Sequence, residues 1–160
     1  MSRELSHLDH DGSVRMVDVG GKPDSERRAV FQSRIRMGRE AFEQLERKGL
    51  PKGDALNTAR IAAIQAAKQT AHLIPLCHPL FLSHIEIRFE LERDTHSVRI
   101  EAEVRTVSGT GVEMEALVAA QTAAMTLYDM GKAVERNMII SDCRLLHKSG
   151  GKSDEDSSEP

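Results

Sequence analysis

With 160 residues, 39% hydrophobic and 29% charged, the chain is sized and composed for one soluble domain around a single core. Aromatic residues reach only 3%, with no Trp and one Tyr, which excludes a stacking platform for single-stranded nucleic acid and leaves Ala, Ile, Leu, Val and Met to build the interior. A net charge of -3 gives no general attraction to nucleic acid or an anionic membrane, so any anion site must be a local cluster of Lys, Arg and His.

Residues 1–13 form a polar N-terminal segment without the apolar stretch of a signal peptide, and Asp11-Gly12 signals a turn. No run approaches the roughly 18 consecutive apolar residues of a membrane span. Cys77 and Cys143 are too few for a disulfide framework, so the expectation is a cytoplasmic protein with free thiols. A short strand is predicted over Arg15–Val19, broken by Gly20-Gly21-Lys22-Pro23. Ala29, Phe31, Ser33, Ile35 and Met37 alternate with Gln32, Arg34 and Arg36, the pattern of a half-buried strand.

Ala41, Phe42 and Leu45 place a helix over Arg39–Lys48, with Gly49 as the expected left-handed C′ residue. After the loop Leu50-Pro51-Lys52-Gly53, Asp54 is a good N-cap for an Ala-rich helix running to about His72, which Pro75 ends. The clearest pattern follows. Ile85, Ile87, Phe89 and Leu91 alternate with charged residues, and after Arg93–His96 so do Val98, Ile100, Ala102 and Val104, giving an antiparallel hairpin with one buried face. Ser108–Gly111 then feeds a long Ala- and Met-rich helix over Val112–Glu135. A last short strand fits Cys143–His147, and residues 149–160 read as a flexible tail. This order predicts an α+β fold, a ferredoxin-like antiparallel sheet with helices packed on one face, over a single domain at 14–148.

Lys52, in a loop at the mouth of a helix, would sit beside free backbone N–H groups suited to phosphate, although a solvated loop lysine explains it equally well. Leu76-Cys77-His78-Pro79 lies between two prolines that fix where Cys77 and His78 point. A buried thiol and a hydrogen-bonded His suit the same tetrapeptide, and no second cysteine or histidine stands at zinc-ligand spacing. Glu113-Met114-Glu115 opens the long helix, where acids favour the helix dipole. Asp129 and Lys132 are neighbours on that helix. They read as a surface ion pair, or, given Leu127, Tyr128, Met130 and Val134 around them, as a partly buried acid–base pair. Ser149-Gly150-Gly151-Lys152-Ser153 fails as a P-loop, since Leu146 holds the required glycine position. Glu115 and Asp129 lie about 21 Å apart along one helix, so a small substrate served by both must be held between two subunits.

Read together, these motifs resemble one family. Met16-Val17-Asp18-Val19, Lys52-Gly53-Asp54, Leu73-Ile74-Pro75-Leu76-Cys77-His78-Pro79-Leu80, Thr110-Gly111-Val112-Glu113-Met114-Glu115-Ala116-Leu117, Tyr128-Asp129-Met130 before Lys132, and Lys148-Ser149-Gly150-Gly151-Lys152-Ser153 are similar to cyclic pyranopterin monophosphate synthase, the molybdenum cofactor biosynthesis protein C family. The resemblance spans residues 13 to 153. It implies a lyase of molybdenum cofactor biosynthesis that converts 3′,8-cyclo-7,8-dihydroguanosine triphosphate into cyclic pyranopterin monophosphate with release of pyrophosphate. It further implies a ferredoxin-like fold and a hexamer, a trimer of dimers, with sites at dimer interfaces. Lys52, Asp129 and Lys132 would be its acid–base residues. Leu76, Cys77, His78, Glu113, Met114 and Glu115 would line the substrate pocket, and Arg27 and Lys148 would reach the triphosphate. The sequence requires no cofactor or metal and leaves open whether Mg2+ accompanies the triphosphate. A catalytically dead binder of purine or pterin phosphates, and a zinc phosphohydrolase built on Cys77-His78, are the competing classes.

Overall fold

The strand with alternating apolar residues becomes the middle of the sheet. In the computed structural model, which describes residues 11–151 and 154–156, β1 (Ser25–Arg36) pairs with β3 (Ser97–Ser108) on one side and β4 (Ile139–Ser149) on the other. β2 (His84–Glu92) forms one edge beyond β3, and the two-residue β5 (Glu155–Asp156) pairs with β4 at the other. The order is β2-β3-β1-β4-β5 and all pairings are antiparallel. Two short helices, α1 (Arg39–Glu46) and α3 (Thr70–Leu73), flank α2 (Ala55–Lys68) between β1 and β2, while α4 (Glu113–Gly131) joins β3 to β4. This is the expected α+β arrangement. No helix among the described residues is long and apolar enough to cross a membrane.

Small side chains set the packing. Ala55, Ala59, Ala63 and Ala67 line the inner face of α2, and Ala116, Ala119, Ala120, Ala123 and Ala124 that of α4, so the two helices approach closely over the sheet. Ile35, Val98, Ile100, Ala102 and Leu127 complete the buried core between them. The opposite sheet face is a lattice of charges. Its centre is Glu103, buried beneath Arg28, Arg88 and Arg105, and the guanidinium groups of Arg28 and Arg105 hold its carboxyl down at about 2.

Asp54 caps α2 as expected, its Oδ1 accepting the Asn57 N–H at 3.1 Å. The end of α1 differs. Lys48, not Gly49, is the left-handed residue (φ 55°), and its N–H donates to the Leu45 carbonyl while Gly49 N–H donates to that of Gln44. Both bonds of a Schellman motif are therefore made, with Gly49 one position past the twist. The helix expected to run from Asp54 to His72 is two, α2 stopping at Lys68 before the separate turn of α3.

No strand forms over Arg15–Val19; Val14, just before it, makes an isolated bridge. The Val17 and Val19 carbonyls are taken by His78 and by Lys22 N–H, so no ladder is available to them. α4 ends at Gly131, not Glu135, and Gly131 lacks a Cβ where Met138 Sδ packs 3.2 Å from the position one would occupy. β4 starts at Ile139, before the expected Cys143, because bulges opposite β1 and a left-handed Asp142 (φ 52°) disguise its alternation. Within the predicted tail, Glu155-Asp156 pairs with Lys148 and His147. Residues 1–10 of the polar segment, and Lys152 and Ser153, lie outside the described residues.

Candidate active site

Two groups of predicted site residues are brought together, at opposite ends of α4. Near its N-terminus a cavity of about 580 Å³ is walled by Leu76, Cys77, His78, Glu113, Met114 and Glu115, together with Val17, Val19 and Lys22. It shares Lys22, Thr110, Gly111 and Glu113 with a second cavity of about 550 Å³, to which Arg27, Lys148, Gly150 and Gly151 contribute. The two form one trough, and all eight residues expected to bind substrate line it.

The apolar half holds an unusual acid. Glu115 is 4% exposed, and no cation pairs with it among the described residues. Burial, with the nearby Glu113 carboxylate adding to it, pushes its carboxyl up to about 7. His78 donates Nε2–H to the Val17 carbonyl at 2.7 Å, which docks the segment before β1 against the Pro75–Pro79 loop and leaves Nδ1 without a partner among the described residues. Cys77 is a free thiol that burial pushes further up, the opposite of an activated nucleophile.

The polar half is basic. Lys148 pairs with Glu113 at 2.6 Å, and Lys22 stands where the two cavities meet. Arg27 is partly committed to the wall: Nε donates to the Ser108 carbonyl at 3.1 Å and Nη1 to that of Gly150 at 2.7 Å. Gly150 (φ 84°) and Gly151 (φ 117°) both take left-handed backbone, and a Cβ on Gly151 would collide with Arg27 Nη1. Sequence reasoning missed Lys22 and these glycines as trough residues. Gly20-Gly21-Lys22-Pro23 reads as a strand breaker and Gly150-Gly151 as the start of a tail, although glycine flanking a lysine is also how backbone and charge come close to an anion.

At the far end of α4, Lys52 Nζ contacts Asp129 Oδ2 at 2.6 Å and Lys132 Nζ contacts Asp129 Oδ1 at 2.8 Å. One carboxylate thus bridges two ammonium groups, and their hydrogen bonds lower it to about 2, so it stays ionised throughout the neutral range. The burial that the neighbouring apolar residues suggested is absent from the single chain: these side chains are 42–52% exposed. None of the three lines the trough. α4 is continuous between the two groups, so the span of about 21 Å inferred from helix rise stands. Among the described residues no group of three or more His, Cys, Asp and Glu side chains is placed to hold a metal ion.

A family model described as the MoaC family matches residues 16–151. A cyclic pyranopterin monophosphate synthase of Oleidesulfovibrio alaskensis is 56% identical over 155 residues, covering 97% of this chain and 98% of that one. The protein of the same name from Bordetella pertussis is 52% identical, covering 94% of each chain. Human molybdenum cofactor biosynthesis protein 1 is 49% identical over 94% of this chain, which corresponds to 24% of the human protein.

Proposed function

The chain belongs to the MoaC family, and on that premise we propose that it is a lyase of molybdenum cofactor biosynthesis, forming cyclic pyranopterin monophosphate and pyrophosphate from 3′,8-cyclo-7,8-dihydroguanosine triphosphate. The observation that carries this reading is the division of labour along α4, a recognition trough at one end and a charged acid–base cluster at the other. The substrate needs both kinds of contact. Its aminopyrimidinone edge presents adjacent N–H donors to Glu115, which is otherwise short of partners. Its phosphates need cations, which Lys22, Arg27 and Lys148 supply.

Ring opening and pterin closure require protons to be moved at ring nitrogens and sugar oxygens. Asp129, held ionised, is poorly suited to carry them; it fixes two ammonium groups in place, and Lys52 and Lys132 do the transfer. When the cyclic phosphate closes, a sugar-derived hydroxyl attacks the α-phosphorus, loses its proton and breaks the bond to pyrophosphate. The cations beside the phosphates take up the leaving group's charge. Because the trough and the cluster stand at opposite ends of one helix, a complete site joins the trough of one subunit to the Lys52-Asp129-Lys132 cluster of another, within a homo-oligomer that the family resemblance makes a hexamer.

The direct test incubates the purified chain with the cyclised triphosphate and follows pyrophosphate and pterin product. We expect both, with Lys52→Ala and Lys132→Ala each losing about two to four orders of magnitude in turnover while remaining folded. Tight binding of the triphosphate without pyrophosphate release would favour a non-catalytic binder. Near-full turnover in either folded variant would remove that lysine from the chemistry.

A further inference from the structure

The lysines of the charged cluster stand on two separate supports. Lys132 is the C-cap of α4, and its N–H donates to the Tyr128 carbonyl at 2.9 Å. Lys52 belongs to the loop that leaves α1, seated by the buried Leu50 and closed by the Gly53 N–H on the Leu50 carbonyl at 2.9 Å. Asp129 ties the two ammonium groups together, but its ion pairs are half exposed, and pairs of that kind are too weak to hold two elements in register.

The same supports are joined a second time, through Glu135. After α4 the chain makes a tight turn in which the Val134 and Glu135 N–H groups both donate to the Gly131 carbonyl, at 2.9 and 3.1 Å. The Tyr128 hydroxyl donates to the Arg136 carbonyl at 2.9 Å. Glu135 is thereby fixed relative to Lys132, and its side chain crosses to α1 and accepts the Gly38 N–H. Gly38 is the N-cap of α1 and has no side chain to cap with. In a capping box the residue three further on reaches back to this N–H, but here that residue is the buried Ala41. Glu135 supplies the missing acceptor from the far side of the sequence.

Gly38 itself is explained by this contact. Its φ of -70° and ψ of 162° suit any residue, so the backbone does not require a glycine. A Cβ there would lie 2.6 Å from Glu135 Oε2 and 3.0 Å from its Cδ. Burial of Ala41, Phe42 and Leu45 holds α1 to the core, but apolar packing is non-directional and does not by itself set where a short helix sits along its axis. A hydrogen bond to its first residue does.

We infer that Glu135 is a positioning residue for the reaction proposed above: by clamping the start of α1 to the turn after α4, it sets the spacing of Lys52 and Lys132 across Asp129. It lies outside the trough, and the inference rests on the catalytic reading of the two lysines.

Three variants of the full chain test it. Glu135→Ala removes the acceptor. Gly38→Ala pushes away only the flexible tip of Glu135 and leaves the backbone unstrained, so it should fold. Each should lower kcat about tenfold to a hundredfold and leave KM within about twofold, because the trough is at the other end of α4. Glu135→Gln, whose amide oxygen still accepts the Gly38 N–H, should bring kcat back to within about threefold of the parent. Parent-level kcat in both folded alanine variants overturns the inference, even if their melting temperatures fall. A Gln variant as slow as the Ala variant also overturns it, since charge and not the hydrogen bond would then be at work. A parent that releases no pyrophosphate sinks the catalytic reading instead. The clamp is then read by cross-linking Lys52 to Lys132 with a short amine-reactive bis-electrophile, whose yield should fall in both alanine variants and hold in Glu135→Gln. Equal yields throughout remove Glu135 from setting the spacing.

Discussion

Glu115 and Asp129 share one helix and one chemical group, yet the structure sends their carboxyls in opposite directions. Glu115 is buried without a cation and rises to about 7; Asp129 lies between two lysines and falls to about 2. A carboxyl raised on folding makes the folded state bind protons more tightly than the unfolded one. Its charge therefore costs stability as pH rises from its ordinary 4.5 through about 7, and nothing below that window. Glu115→Gln should consequently gain roughly 1–3 kcal/mol over the parent at pH 8 and little at pH 4.5, read by urea unfolding at the two values. Equal stabilities at pH 8 would show that the acid is not held against its charge. The same residue should couple substrate binding to pH: if the carboxylate accepts the pyrimidinone donors, binding tightens as pH rises toward 7 and levels off above it, and the Gln variant loses that slope. Asp129→Asn makes the contrasting case. Its ion pairs are half exposed, so stability should change by less than about 1 kcal/mol, while turnover falls by at least about a hundredfold. A loss of stability with turnover intact would assign the cluster to structure.

Elements governed by a local rule were legible in the sequence, and those fixed by a distant partner were not. The β2–β3 hairpin shows because one buried face imposes strict alternation, and Asp54 because capping is decided within three residues. β4 is disguised by its bulges, and Arg15–Val19 fails as a strand because His78, sixty-one residues away, takes the Val17 carbonyl. The site follows the same division. Glu113 to Glu115 and Asp129 with Lys132 stand out as spaced acids and bases on one helix, whereas Lys22 becomes a trough residue only when its loop meets Thr110-Gly111. Gly151 shows how much of the trough is backbone. Gly151→Ala places a methyl on a left-handed residue and against the Arg27 guanidinium, so it should cost about 1–3 kcal/mol and raise KM more than it lowers kcat. An unchanged KM would mean that the Arg27 wall does not set phosphate binding.

At the scale of the whole molecule, one helix cannot bring its own two ends to one small substrate, so the proposed reaction, which uses both ends, draws on two chains. On the proposed function two chains related by a two-fold share their sites, each lending its trough to one site and its Lys52-Asp129-Lys132 cluster to the other. Sharing has a sharp consequence for mixtures. A chain with Lys52→Ala keeps its trough, and a chain with Lys148→Ala keeps its cluster; alone, each assembles only defective sites. When the two inactive variants are dissociated, mixed in equal amounts and reassembled, half of the site-sharing pairs are hybrid, and each hybrid owns one site with both halves intact. Turnover should therefore recover to about a quarter of the parent value. If each site lay within a single chain, the mixture would stay as inactive as its components, and the division along α4 would need another explanation.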